Sequence, residues 1–425
     1  MLTQTQTKLI LSTAPILRIH GEAITTHFYK RLFKHNPELK AIFNQGHQKA
    51  GTQQQALAMA VVAYAENIEN PTVLMPVLKM VASKHASLGI HAEHYPIVGA
   101  HLLASICEVL DQDPNNDLVT AWGVAYGQLA DLLIQMESNL YTASTQQENG
   151  WSGWRNVKIT KKEAESQEIT SFYLAPIDGG KLPSYLAGQY ISVRIFVPEL
   201  GMTQPRQYAL SQAPQSDCYR ISVKRESGGY TPTGIVSNRL HDAYDVGSSL
   251  EITAPQGQFY LEPNHDAPLV LISAGVGIAP MIAMAEAALS QRADAKIHFI
   301  HACRHGGVHA FKDWLAEQKM LSNQFNSIIY YESPRTKDKL GQDFDVTGRL
   351  NLSNHATQLP HNANYFLCGP LLFIQAQKNK LIELDIDTKN IFTEALGDYD
   401  QREGLALAHR IAVMNHTKVA QMETP

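Results

Sequence analysis

A histidine near the end of an amphipathic segment is the first candidate for chemistry. His85 stands in VASKHASLGI, and a neutral imidazole there could serve as an axial ligand to haem iron. A lone histidine on a helix is more commonly a surface or capping residue, so the assignment depends on its surroundings. Gln53 heads an apolar helical stretch, Phe43 lies in NPELKAIF, and Tyr29 lies in THFYKRLFKHNPELKAIF. Alone, Tyr29 reads as a core or rim tyrosine. A second group lies downstream. Arg206-Gln207-Tyr208-Ala209 follows a strand-like run, with Tyr190 in GQY before it and Ser237 in VSN after it. An arginine can neutralise a dinucleotide pyrophosphate, and a tyrosine can stack near an isoalloxazine ring. The third group is Ser273-Ala274-Gly275-Val276-Gly277-Ile278-Ala279-Pro280, a glycine turn between an apolar run and a helical one. Such a turn lets backbone approach a pyrophosphate at a helix N-terminus. Pro280 stands where a full GxGxxG has its third glycine, and proline is compatible with a first helical turn. Cys368-Gly369-Pro370 closes a later strand-like run, where a nicotinamide would lie. Cys368 reads equally as a small buried apolar residue.

The elements that hold these residues change character along the chain. Its 425 residues suggest two to four domains at roughly 100–200 residues each. Up to about residue 145 the pattern is helical. Residues 51–68 place Leu57, Val61 and Tyr64 on one face, and residues 118–137 place Leu118, Trp122, Ala125, Leu129 and Leu132 likewise. With Asn70-Pro71, Tyr95-Pro96 and Asp113-Pro114 as breaks, six to eight short helices are expected. A polar stretch, TASTQQENG (142–150), reads as a linker. Beyond it, WRNVKITKKEA, SFYLAP, QYISVRIFV and YRISVKRE alternate or run β-branched, which predicts a small antiparallel barrel over 151–265. From 266 onward, the strands LVLIS, KIHFIHA, SIIYY and YFLC with helices over 279–291 and 309–319 predict a parallel βαβ sheet.

Composition excludes several classes. With 44% hydrophobic and 18% charged residues, the chain fits a globular protein. A net charge of −5 disfavours a nucleic-acid partner. Four cysteines with no CxxC pair exclude a disulfide scaffold and a cysteine zinc site, and they fit a reducing cytosol. The start, MLTQTQTK, has no signal pattern; a cytoplasmic protein is expected. Residues 267–285 are uncharged and nearly long enough to span a bilayer. Gly275, Gly277 and Pro280 interrupt them, however, and Glu286 follows at once. The reading is a buried strand, a glycine turn and a helix from about Ala279, with no transmembrane segment.

Over residues 1–397 the sequence resembles the bacterial flavohaemoglobins, which are nitric oxide dioxygenases. The resemblance rests on HFYKRLFKHNPELKAIF, AYAENIEN, KHASLGI, HYPIVGAHLL, AWGVAYGQLAD, GQY, RQYAL, KRESGG, VSNRLH, LISAGVGIAPM and FLCGP, in order. It implies a multidomain chain. An all-α globin haem domain (1–145) precedes an FAD-binding antiparallel β-barrel (151–265). An α/β NAD(P)-binding domain of ferredoxin-reductase type (266–400) follows, then a tail (401–425) with no assigned role.

The resemblance further implies haem b, FAD and NAD(P)H as cofactors, with oxygen and nitric oxide as substrates. NAD(P)H would reduce FAD, FAD would reduce haem, and oxygen on the ferrous haem would convert nitric oxide to nitrate. His85 would be the proximal iron ligand. Tyr29 and Gln53 would line the distal side with Leu57, and Phe43 would pack on the haem. Tyr95 and Glu137 would stand behind His85. Redox tuning would fall to Tyr29, Lys84 and the residue at 396. The flavin and nicotinamide groups would be held by Tyr190, Arg206, Gln207, Tyr208, Ala209, Ser237, the turn 273–278, Cys368, Gly369, Pro370 and Thr393, Glu394, Ala395 and Leu396. Three positions depart from the family: Ala209 replaces a serine or threonine, and Ala395-Leu396 replace a cysteine–aromatic pair. A monomer is expected. The other classes are a haem-based oxygen or nitric oxide sensor or carrier, and a flavin or peroxide reductase with a vestigial globin domain. Arg304, after KIHFIHA, could contact a 2′-phosphate or be a solvated surface residue.

Overall fold

The structure is a computed structural model, and it describes residues 1–228, 233–263, 265–292 and 294–396. The segment GLALAHRIAVM and Gly397 lie outside the described residues. The chain forms two compact units.

The first unit is helical. Its helices are α1 (Gln4–His35), α2 (Gln45–Ala50), α3 (Thr52–Glu66), α4 (Met75–Leu88), α5 (His94–Leu110) and α6 (Asp117–Gln146). Thr3 starts α1 through a capping box: its side chain accepts the Gln6 amide, and Gln6 returns a side-chain oxygen to the Thr3 amide. Two expectations are corrected here. The helices are not all short, since α1 has 32 residues and α6 has 30. The stretch 142–150 is not wholly a linker, because α6 runs on to Gln146. Its last turns are polar because they are solvated, and polarity alone does not end a helix. The core of this unit gathers Ile10, Leu17, Ile24, Ala63, Trp122 and Leu133 with other buried apolar residues.

The second unit contains both sheets apart from residues 198–205, which group with the first unit. Strands β1 (Arg155–Ala164), β2 (Ile169–Pro176), β3 (Tyr190–Val197), β4 (Met202–Ala209), β5 (Tyr219–Lys224) and β6 (Ser249–Ile252) form one sheet, in the order β4-β3-β6-β1-β2-β5. The β1–β2, β1–β6, β2–β5 and β3–β6 ladders are antiparallel. An antiparallel bridge from Leu210 to Ile221 joins the two edge strands, which closes the sheet as the alternation predicts. A helix α7 (Ile235–Ala243) lies between β5 and β6.

The second sheet is parallel. Strands β7 (Leu269–Ala274), β8 (Ile297–Cys303), β9 (Phe325–Tyr331), β10 (Val346–Thr347), β11 (Asn364–Gly369) and β12 (Ile391–Ala395) lie in the order β10-β9-β8-β7-β11-β12. Both of its faces are covered, so its strands read as continuous apolar runs. Leu269 and Leu271 pack with helix α8 (Ile278–Gln291) and with Leu315 of α9 (Lys312–Leu321). Val270 and Ile272 face the opposite way, with Ile374 and Leu381 of α10 (Leu371–Glu383). Helix α9 begins later than the expected residue 309. Residues Gly306–Val308 form a 3-10 turn, and Phe311 has φ +56°, so the α-helix cannot start before Lys312. The buried run at 269–285 is thus strand, turn and helix, and no helix among the described residues is long and apolar enough to cross a membrane.

The chain order fixes where a ligand can sit. It moves outward from β7 to β10 on one side, then returns to β11 on the other side of β7. The crevice at the carboxyl ends of β7 and β11 is the topological switch point.

Candidate functional site

Three clusters emerge, and the first surrounds His85. Helix α4 carries His85 in its last turn and ends there because Gly89 takes up a left-handed conformation. Tyr95 enters in the first turn of α5, and Glu137 comes from α6. Together they converge on one carboxylate oxygen. His85 Nδ1 lies 2.8 Å from Glu137 Oε1, and the Tyr95 hydroxyl donates to the same oxygen at 2.5 Å. Tyr95 Oη also lies 3.2 Å from His85 Nδ1. Burial, and next the Glu137 carboxylate, hold the Tyr95 hydroxyl far above its usual range, so it stays a donor. Glu137 is 2% exposed. Its acceptance at Nδ1 fixes the imidazole as the Nδ1–H tautomer and leaves the Nε2 lone pair for a metal.

The neighbouring cluster contains Tyr29 and Phe43 as an edge-to-face pair with centroids 5.6 Å apart. Leu57, Phe33, Ile97 and Val98 pack there while only partly buried. A half-buried ring of apolar side chains near an imidazole with one nitrogen available fits a flat apolar iron cofactor. Gln53 accepts from Gln48 Nε2 at 2.9 Å, and Lys84 holds Ser87 through its carbonyl at 2.8 Å.

One residue here escaped sequence reasoning. The Tyr126 hydroxyl donates to the Tyr95 carbonyl at 2.6 Å, pinning the turn that presents Tyr95. Its ring fits because residue 99 is glycine: a Cβ there would come within 2.4 Å of Tyr126 Cε1. The available signal was a tyrosine and a glycine inside two of the quoted segments, HYPIVGAHLL and AWGVAYGQLAD.

The second cluster is on the barrel. Arg206 and Tyr208 lie on one face of β4, and Gln207 and Ala209 on the other, by the strand period. Tyr190 opens β3 and pairs with Gln256 through both backbone bonds, each 2.9 Å. Burial raises the Tyr208 hydroxyl above its usual range, so it stays neutral. Ser237 sits in the first turn of α7 beside Asn238, whose buried Oδ1 has no partner among the described residues. An orphaned acceptor at a helix start, with an arginine and two tyrosines on adjoining strands, fits a flavin nucleotide with hydroxyls to donate.

The third cluster lies at the switch point. Residues Gly275–Gly277 form a 3-10 turn from β7 into α8. Gly275 has φ +56° and nothing within 4 Å of a notional Cβ. Gly277 is required for a different reason: its Cβ would lie 2.3 Å from the Cys368 carbonyl oxygen. Register places Cys368 beside Ser273 on one side and Glu394 on the other, and Gly369 beside Ala395. Thr393 pairs with Leu367. The Leu396 amide donates to the Gly369 carbonyl at 3.1 Å, and Leu396 packs on the core that includes Ile278 and Cys368. Cys368 is fully buried. The structure thus joins two motifs that are distant in sequence, and the open space over Gly275 fits a pyrophosphate. Pro370 caps α10 and Pro280 lies in the first turn of α8. Arg304 is not simply solvated: it pairs with Glu168.

Comparison with known proteins gives the family and the order of its domains. Family models match in chain order: globin over 26–133, oxidoreductase FAD-binding domain over 156–260 and oxidoreductase NAD-binding domain over 271–379. A flavohemoprotein of Chromobacterium violaceum is 51% identical over 401 residues, covering 94% of this chain and 99% of its own. One from Rhizobium meliloti is 48% identical over 93% and 98%. Among solved structures, the flavohemoglobin of Malassezia yamatoensis with bound FAD and heme aligns with TM-score 0.81 and 29% identity, covering 93% of this chain and all of that one. The FAD/NAD-binding domain of nitric oxide dioxygenase from Vibrio cholerae aligns with TM-score 0.52 and 33% identity, over 57% of this chain and 98% of that one. With globin, FAD-binding and NAD-binding domains in one chain and near-full-length relatives, this oxidoreductase belongs to the flavohemoprotein family.

Proposed function

We propose that the chain is an NAD(P)H-dependent nitric oxide dioxygenase of the cytoplasm, acting as a monomer. Its domains are read as 1–145 for haem, 151–265 for FAD and 266–400 for NAD(P)H. When bound, the nicotinamide supplies electron pairs, the flavin hands them on singly, and the haem iron uses them to combine oxygen with nitric oxide as nitrate.

The observation that carries this reading is the shared Glu137 oxygen behind His85. A carboxylate on the Nδ1 proton makes Nε2 a stronger donor, which suits oxygen activation better than simple storage. Tyr95 donates a second hydrogen bond to the same oxygen and stops the carboxylate from rotating away. Tyr29 would line the distal side and hold oxygen by a bond of ~0.5–1.5 kcal/mol. Gln53 and Leu57 would border that side, Phe43 would pack on the cofactor, and Lys84 would adjust its potential. Arg206 would neutralise the FAD pyrophosphate, while Tyr190, Tyr208 and Ser237 would help hold the flavin. The turn 273–278 would take the nicotinamide pyrophosphate, and the strand ends bearing Cys368, Gly369 and Glu394 would border the nicotinamide site.

Glu137→Gln tests the carrying observation. Glutamine keeps the shape but weakens the pull on Nδ1–H, so turnover should fall about 10- to 100-fold with haem retained. The iron–histidine stretch should drop in resonance Raman. An unchanged stretch would remove the assignment. Repeated consumption of NADH, oxygen and nitric oxide identifies a catalyst; a single stoichiometric titration would identify a binder instead.

The departure at 209 predicts slow flavin reduction. A hydroxyl there could bond the flavin during hydride transfer and contribute ~1–2 kcal/mol, roughly 5- to 30-fold in rate. An aromatic ring at 396 would stack on the resting flavin for only ~0.5–1.5 kcal/mol. Ala209→Ser should therefore raise the anaerobic flavin-reduction rate several-fold, and Leu396→Phe should alter nicotinamide affinity more than that rate. The reverse pattern in stopped-flow bleaching would refute the ranking.

A further inference from the structure

A charge pair crosses between the barrel and the parallel sheet. Arg220 comes from β5 and Glu286 from α8, with side chains 12% and 22% exposed. Arg220 Nη2 donates to Glu286 Oε1 at 3.1 Å. The other carboxylate oxygen, Oε2, accepts the Ala213 amide at 2.7 Å. Both Glu286 oxygens are thus used, one toward each side of a short segment of barrel chain.

The guanidinium also grips that segment directly. Its Nε donates to the Ser211 carbonyl at 3.1 Å and lies 3.2 Å from Ser211 Oγ, and Nη2 donates to the same carbonyl. Ser211 is fully buried and receives a further bond from Ser222 Oγ at 2.8 Å. On the sheet side, the guanidinium lies over the Phe311 ring at 5.2 Å. Phe311 is buried and held at φ +56°, a conformation that a phenylalanine adopts only when its surroundings impose it.

Placement gives this contact its meaning. Ser211 and Ala213 follow Ala209, the last residue of the flavin strand β4, and Glu286 lies in the helix that opens directly after Gly275–Gly277. An apolar interface alone would join the two domains with little preference for angle. A planar guanidinium and a two-oxygen carboxylate impose one.

We propose that Arg220 and Glu286 are positioning residues that clasp the end of the flavin strand to helix α8 and so set how the nicotinamide meets the flavin. This rests on the reading above, in which residues 206–209 and 275–277 hold those two groups. Neither side chain need touch a cofactor. A displacement of about 1 Å at the reacting atoms can slow a reaction by about 100-fold.

The test uses the full-length holoprotein. Glu286→Ala should slow anaerobic flavin bleaching at saturating NADH by about 10- to 100-fold. NADH affinity should change less than about threefold, since no binding contact is removed. Amide exchange at Ala213 should quicken, a readout independent of turnover. The long-wavelength absorbance of nicotinamide stacked on flavin should weaken. Glu286→Gln keeps an oxygen for the Ala213 amide and should recover most of the rate and the absorbance. The proposal is overturned if Glu286→Ala speeds exchange but bleaches at the parental rate. It is equally overturned if exchange is unchanged, or if both variants lose FAD and rate together. Should Glu286→Ala not fold, Arg220→Lys keeps the charge and loses the planar fork; bleaching at the full parental rate there overturns it. A parent that NADH does not bleach would remove the nicotinamide reading itself, which differs from a bleached parent whose variants match it.

Discussion

His85→Ala will leave the purified protein without tightly held haem while its flavin absorbance stays at the parental level. The imidazole is held from behind by two groups on one carboxylate oxygen, which leaves Nε2 as the donor to a metal. Alanine removes that donor and strands Glu137, whose Oε2 already lacks a partner among the described residues. Loss of a supporting partner alone costs about 10- to 100-fold in metal affinity, so loss of the ligand itself should exceed that. The apolar ring around Tyr29 could still attract a porphyrin weakly, and gel filtration should strip it. Haem-to-protein and flavin-to-protein ratios after that step decide the matter. Parental haem content in a folded His85→Ala protein would mean another residue carries the iron.

Gly277→Ala should abolish NADH-driven flavin reduction, whereas Gly275→Ala should only weaken it. The two glycines differ in what a methyl group would meet. At 277 the Cβ lies 2.3 Å from the Cys368 carbonyl oxygen and 2.9 Å from the Gly369 amide nitrogen, all backbone. No side chain can swing aside, so either the turn or the end of β11 must move, and both bear the proposed nicotinamide site. At 275 there is open space, and the penalty is the left-handed φ of +56°, worth about 1–2 kcal/mol for an L residue. That corresponds to roughly 5- to 30-fold in an equilibrium. FAD content should survive both changes, because β4 and β3 are untouched. Anaerobic bleaching by NADH, read beside thermal melting, separates the two. Parental bleaching in Gly277→Ala would contradict the placement of the nicotinamide at the switch point.

The sequence was most legible where local pattern and motif coincide. Residues 269–285 could be resolved into strand, turn and helix because Gly275, Gly277 and Pro280 mark the change, and β7 and α8 begin and end within a residue or two of that expectation. His85 was visible as the last-turn histidine of α4, but its partners were not. Glu137 lies 52 residues away, and on α6 its spacing is that of a solvated face; only the resemblance singled it out. Tyr126 stayed hidden because its hydroxyl bonds a main-chain carbonyl, which leaves no side-chain pattern. Arg220 and Glu286 are separated by 66 residues, and a pair across two domains has no period at all. The end of α6 was misread because polar residues serve a solvated helix as well as a linker. Phe311 delayed α9 through a backbone conformation that phenylalanine seldom adopts.

The most direct test of the central claim is the yield of nitrate per NADH consumed, with nitric oxide and air supplied together. Conversion of one nitric oxide and one oxygen to nitrate requires one external electron, and NADH carries two. Tight coupling therefore predicts about two nitrates per NADH over many turnovers. A steady consumption of NADH with no nitrate would contradict the account and leave an oxidase or flavin reductase in its place.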